Sequence, residues 1–94
     1  MTSRHRLSYS VITRAELLAG TSATELVAEL LGPFRELLVT RAIAKRAGRI
    51  RRETGVRLPD SLIVATAIEH TCQLVTRNRR DFEAIRGLRV RAPG

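Results

Sequence analysis

Two aspartates occur in the whole chain, Asp60 and Asp81, and each stands where a helix is expected to begin. Glu16 is placed in the same way, in a first turn directly after an apolar, β-branched run. Three carboxylates at helix starts could converge on one Mg2+ or Mn2+, because hard cations take oxygen ligands and keep several waters. A cation so held activates water and stabilises the charge that builds on a phosphodiester during hydrolysis. Each acid also has a structural explanation. Glu16 completes a capping box with Thr13, and Asp81 completes one with Asn78. Asp60 follows Pro59 in a first turn, where a carboxylate complements the helix dipole. Spacing alone leaves both explanations open.

The other reactive side chains offer less. His5 and His70 are too few and too far apart for a zinc site. His70 near the end of an apolar helix reads as a C-terminal dipole partner rather than a base. Cys72 is the only cysteine, so no intrachain disulfide can form, and it reads as a small core residue. The stretch 41–57 is different: it holds seven basic residues against one acid, Glu53, which is most of the chain's net charge of +8. A field of that sign attracts polyanions, nucleic acid first and an acidic protein equally. A solvated helix face is the plainer explanation, and the dominance of arginine over the single lysine, Lys45, has a compositional one.

The elements that must position these residues follow from periodicity and punctuation. Residues 1–6 are polar and read as a loose end. Leu7 to Ile12 alternates as a short strand, and Thr13 opens a short helix that stops at Gly20. Ser22 and Glu25 form a second box, followed by Leu26, Val27, Leu30 and Leu31 on one helical face. Gly32-Pro33 ends that helix. Glu36 to Thr40 reads as a strand, and Arg41 to Thr54 as a long helix with Ile43, Ala47 and Ile50 along one stripe. Gly55 stops it. Pro59 then fits the first turn of a helix that is apolar almost all round, and such a helix is normally buried. Gln73 to Thr76 is a short strand, Asn78 caps a helix running through Ile85, and Leu88 to Arg91 is a last strand. The order β-α-α-β-α-α-β-α-β predicts an α/β layer fold with a mainly parallel sheet. Chemistry in such sheets gathers beyond the carboxyl ends of strands, which here lead to Thr13–Glu16 and Thr76–Asp81.

A length of 94 residues fits one domain, and a composition 44% hydrophobic and 28% charged is that of a globular chain. With only Tyr9, Phe34 and Phe82 as aromatics, the core must be built from Leu, Ile, Val and Ala. There is no signal-like apolar run at the start and no stretch of transmembrane length, so the expectation is a soluble cytoplasmic protein with no membrane contact.

The segment from Leu58 to Val90, LPDSLIVATAIEHTCQLVTRNRRDFEAIRGLRV, resembles the C-terminal half of VapC-type toxins, which are PIN-domain nucleases. Ser10 to Gly20, SVITRAELLAG, resembles the second-strand region of the same family. The two segments lie in the family's order at a fitting separation and cover about half the chain. The resemblance implies a PIN-like three-layer α/β fold, with Mg2+ (or Mn2+) held by acids that cut RNA. By position, Glu16, Asp60 and Asp81 match family acids and are the implied catalytic and metal-binding residues. Thr76 and Asn78 are their polar neighbours, and Arg46 and Arg49 on the basic helix are expected to contact RNA.

The chain departs from the family at its start. Members usually begin with a strand carrying an aspartate, and here no aspartate precedes Asp60. The expectation is therefore a single partial PIN domain over residues 1–94, with the N-terminal strand missing. It would be a metal-dependent endoribonuclease toxin of a type II toxin–antitoxin system, in a truncated form that is weak or inactive as it stands. Its partners would be a cognate antitoxin, an RNA substrate and a second copy in a homodimer, with the apolar helices at 13–31 as contact surface. The competing expectation is a catalytically inactive PIN-like module that binds antitoxin or RNA.

Overall fold

Ser10 decides how the first element ends. Its side chain accepts a hydrogen bond from the Ile12 backbone N–H at 3.1 Å, so helix starts at Val11 although Val11 and Ile12 are strand formers. In this computed structural model, which describes residues 7–93, strand β1 is therefore Ser8–Ser10 and helix α1 is Val11–Ala19. The strand predicted over 7–12 is shorter than expected, and Thr13 lies inside the helix rather than at its cap. The predicted loose segment 1–6 and His5 lie outside the described residues. Helix α2 spans Thr24–Leu31. Its N-cap is Ala23, without a side-chain bond, so the box expected at Ser22 is not formed. Strand β2, Arg35–Leu37, follows.

These elements make up a first compact unit, through Val39. Strands β1 and β2 pair in parallel, with Ser8 opposite Arg35 and Ser10 opposite Leu37. Val27, Leu31 and Leu37 are buried. Leu26 and Leu30, on the other face of α2, stay 64% and 58% exposed, and Leu17 and Leu18 of α1 are also open to solvent.

The second compact unit begins at Thr40. The strand predicted over 36–40 stops at Leu37 because Thr40 serves the next helix: its hydroxyl accepts from the Ile43 N–H at 3.2 Å. Helix α3 spans Arg41–Thr54, as its periodicity predicts. It ends at Gly55 in the left-handed region, φ 80°, which suits a residue without a Cβ. Helix α4, Leu58–Glu69, has Pro59 in its first turn. It packs on α3, and Ile43, Ala47 and Ile50 from α3 are buried together with Val64, Ala65 and Ala67 from α4. Two polar groups enter this apolar helix already satisfied. The Ser61 hydroxyl donates to the Val56 carbonyl at 2.9 Å, and the Thr66 hydroxyl donates to the Leu62 carbonyl at 2.7 Å.

His70 caps the C-terminus of α4, and Thr71 turns the chain with φ 55°. Strand β3, Gln73–Val75, pairs in parallel with strand β4, Arg89–Arg91. Between them α5 is one short turn, Arg79–Phe82, not the longer helix expected through Ile85. Phe82 and Ile85 are nonetheless buried. Cys72 is half-buried rather than a core residue. Among the described residues β1 hydrogen-bonds β2 alone and β3 hydrogen-bonds β4 alone, so the α/β class and parallel pairing are as predicted. No helix among them is long and apolar enough to cross a membrane.

Candidate active site

Glu16 is the sixth residue of α1, and it is exposed. The expected first-turn position is corrected by the early start of the helix, and with it the capping role disappears. Among the described residues no hydrogen bond or ion pair uses its carboxylate. Asp81 is also exposed, in the first turn of α5. The Asn78 side chain makes no capping bond, and only the Asp81 backbone N–H is engaged, donating to the Asn78 carbonyl at 3.1 Å. The box predicted from Asn78 and Asp81 is thus absent. Asp60 keeps its first-turn position in α4 and is half-buried. Neither capping box therefore forms: Glu16 lies beyond the first turn of α1, and Asp81 keeps only a first-turn interaction with the helix dipole.

The loop after β3 is shaped by Thr76. Its hydroxyl accepts from the Asn78 N–H at 3.1 Å, and its backbone N–H donates to the Arg91 carbonyl at 3.0 Å. Asn78, three residues before Asp81, is exposed. On α3, Arg46 is engaged: its Nε donates to Glu69 Oε2 at 2.5 Å. Arg49 is exposed.

Carboxylate oxygens are the donors that a hard divalent cation takes, so the chemistry of Glu16, Asp60 and Asp81 fits Mg2+ or Mn2+. Neither compact unit by itself groups three or more His, Cys, Asp or Glu side chains as metal ligands among the described residues.

The first unit contains a cluster that no local pattern announces. Glu36 on β2 accepts from Arg14 Nε at 2.6 Å and from the Tyr9 hydroxyl at 2.9 Å, and Arg14 Nη2 donates to the Tyr9 oxygen at 2.9 Å. The bond from Arg14, and then that from Tyr9, hold the Glu36 carboxyl below its ordinary range. Partial burial and the adjacent Glu36 push the Tyr9 phenol up. The pair Arg14–Glu36 is 22 residues apart, so only an alignment of β1 with β2 would have suggested it.

A family model of the PIN domain matches residues 2–88, which takes in almost the whole chain and most of each compact unit. The chain belongs to the PIN domain family. Three solved structures are similar to this PIN domain. A toxin–antitoxin complex from Klebsiella pneumoniae is 34% identical, with a TM-score of 0.73, covering 84% of this chain and 68% of that one. A DNA-bound VapBC from Salmonella typhimurium is 27% identical, with a TM-score of 0.79, covering 96% of this chain and 77% of that one. VapBC2 from Rickettsia felis, bound to a promoter DNA fragment, has the same TM-score of 0.79 at 23% identity and covers 95% of this PIN domain and 76% of its own chain. At that identity the likeness speaks to fold alone. No curated protein matches the sequence.

Proposed function

We propose that this PIN domain is a VapC-type toxin of a type II toxin–antitoxin system, a metal-dependent endoribonuclease acting in the cytoplasm. The match of the family over residues 2–88 carries this reading. The likeness to a toxin–antitoxin complex at 34% identity supports the toxin class. The carboxylates of Glu16 and Asp81, which form no capping box, support the chemistry. In this proposal both compact units form one domain, and Glu16, Asp60 and Asp81 hold Mg2+ or Mn2+. When bound, such a cation lowers the pKa of water and neutralises charge on the phosphodiester. Thr76, Asn78, Arg46 and Arg49 orient the RNA through polar and charge-assisted contacts, Arg46 by exchanging Glu69 for a phosphate. The exposed leucines of α1 and α2, Leu17, Leu18, Leu26 and Leu30, suit the apolar face of a cognate antitoxin or of a second copy in a homodimer.

A second reading rests on the charge of residues 41–57, where seven basic residues against Glu53 can hold RNA without any metal. An inactive PIN-like module that binds antitoxin or RNA would need none of the three carboxylates. Cleavage of structured RNA in Mg2+ or Mn2+ separates the two. We expect slow cleavage that EDTA stops, and a loss of roughly hundredfold or more in Asp60→Asn, Asp81→Asn or Glu16→Gln, the scale on which a misplaced or missing site group acts. Metal-independent cleavage, or rates unchanged in all three variants, would sink the nuclease assignment. No cleavage at all, with RNA or antitoxin binding intact, favours the inactive module.

A further inference from the structure

Arg41, Lys45, Arg49 and Arg52 share one face of α3. At about 100° per residue their directions fall within an arc of about 80°, and at 1.5 Å per residue they extend about 16 Å along the axis. All four are exposed, and the arc lies opposite the buried stripe of Ile43, Ala47 and Ile50. The other two cations of the helix are occupied. Arg46 pairs with Glu69, and Arg51 Nη1 donates to the Gly55 carbonyl at 2.6 Å. Among the described residues no salt bridge involves the four. Glu53, the only acid of the helix, points outside the arc. The side chains around the cations are small: Ala42, Ala44 and Gly48.

Resting on the reading above, in which Arg49 contacts RNA, we propose that this whole face of α3 is a binding surface for the phosphodiester backbone of single-stranded RNA, using none of the carboxylates assigned to the metal. It presents one cation to each successive turn, and an extended polyanion meets such a row with a phosphate at each step. An acidic protein partner fits less well. Arginine can anchor a protein interface, but such anchors work in well-packed, desolvated patches beside apolar and aromatic side chains, and only Ala42, Ala44 and Gly48 surround these cations. Phosphate contacts position a strand without reading bases, so the surface holds RNA of any sequence and accepts single-stranded DNA equally.

The test is fluorescence anisotropy of a short labelled single-stranded RNA with the full chain in EDTA, across a series of salt concentrations. Metal chemistry is silent there, so failure of the nuclease reading leaves this measurement untouched. Each phosphate contact adds about 0.7 to the steepness of log K against log salt for single strands, so four contacts add about 2.8. The variant Arg41→Gln, Lys45→Gln, Arg49→Gln, Arg52→Gln should lose about 2 to 3 from that slope and bind at least about tenfold more weakly at low salt. Glutamine is a good helix former, so far-ultraviolet circular dichroism should be unchanged. The control replaces Arg35, Arg77, Arg86 and Arg91 by Gln; these are exposed arginines, so the same charge is removed elsewhere. It should change affinity by less than about threefold, since a located surface and not the net field is at work. Equal losses in both variants, or no loss in the first, would overturn the proposal. So would tighter binding to a polyglutamate peptide than to RNA, or a tenfold or larger preference for RNA over DNA of the same sequence.

Discussion

Glu36 carries a charge that two neighbours hold in place. Because Arg14 and Tyr9 stabilise the ionised form, the folded-state pKa lies below the unfolded one, so the cluster adds stability above the ordinary glutamate value, about 4.3, and loses it as pH falls through the depressed folded value. Tyr9 has the opposite sign: its folded pKa is raised, so its contribution is complete below the ordinary tyrosine value and is lost as pH climbs through the raised one. The expected outcome in a series of thermal melts is that Glu36→Gln lowers the midpoint near neutral pH and that the gap to wild type closes as the solution becomes strongly acidic. A gap that stays constant down to pH about 2, well below the ordinary glutamate value, would mean that the carboxylate charge is not what matters. Residue types made the candidate acids legible in the sequence, but their roles were not. Thr13-Arg14-Ala15-Glu16 has every residue of a capping box, and only the Ser10 hydroxyl, bonding the Ile12 N–H, shows that the helix has already begun.

At the scale of elements, α3 shows when a sequence is sufficient. Thr40 at one end, Gly55 at the other and a stripe of Ile43, Ala47 and Ile50 between them all specify the same helix, and it forms over the predicted Arg41–Thr54. Local signals disagree elsewhere. Val11 and Ile12 favour strand while Ser10 caps a helix, and the segment after Asn78 has helical spacing but closes after one turn. The pairing of β1 with β2 and of β3 with β4 lies beyond any local pattern, because three-residue strands carry too little alternation to name a partner. The α3–α4 contact should then dominate the stability of the second unit. Ile43→Ala, at a side chain 1% exposed, is expected to cost about 2 to 5 kcal/mol, and Thr40→Ala, which removes the cap, about 1 kcal/mol. Urea denaturation should place the two in that order. A Thr40→Ala cost equal to that of Ile43→Ala would mean that packing on α4 is not what holds α3.

For the molecule as a whole, the question is whether Glu16 of the first unit and Asp60 and Asp81 of the second share one cation. Asp60 and Asp81 are poor probes, since a first-turn carboxylate stabilises its helix whatever else it does, by about 0.3 to 1 kcal/mol. Glu16 is cleaner. It lies beyond the first turn and has no partner among the described residues, so in isolation Glu16→Gln should be nearly neutral. A shared site changes that in two opposite ways. Without metal, three carboxylates repel one another, and neutralising one should raise the melting midpoint. With Mn2+, the wild type gains stability by mass action, about 2.7 kcal/mol at a concentration one hundred times Kd, and the variant gains much less. The expected result is therefore a change of sign: Glu16→Gln more stable than wild type in EDTA and less stable in millimolar Mn2+. A variant that behaves like wild type in both buffers would remove Glu16 from the ligand set. If Mn2+ shifts neither protein, the acids hold no cation in this chain, and the binding module without catalysis becomes the better account of it.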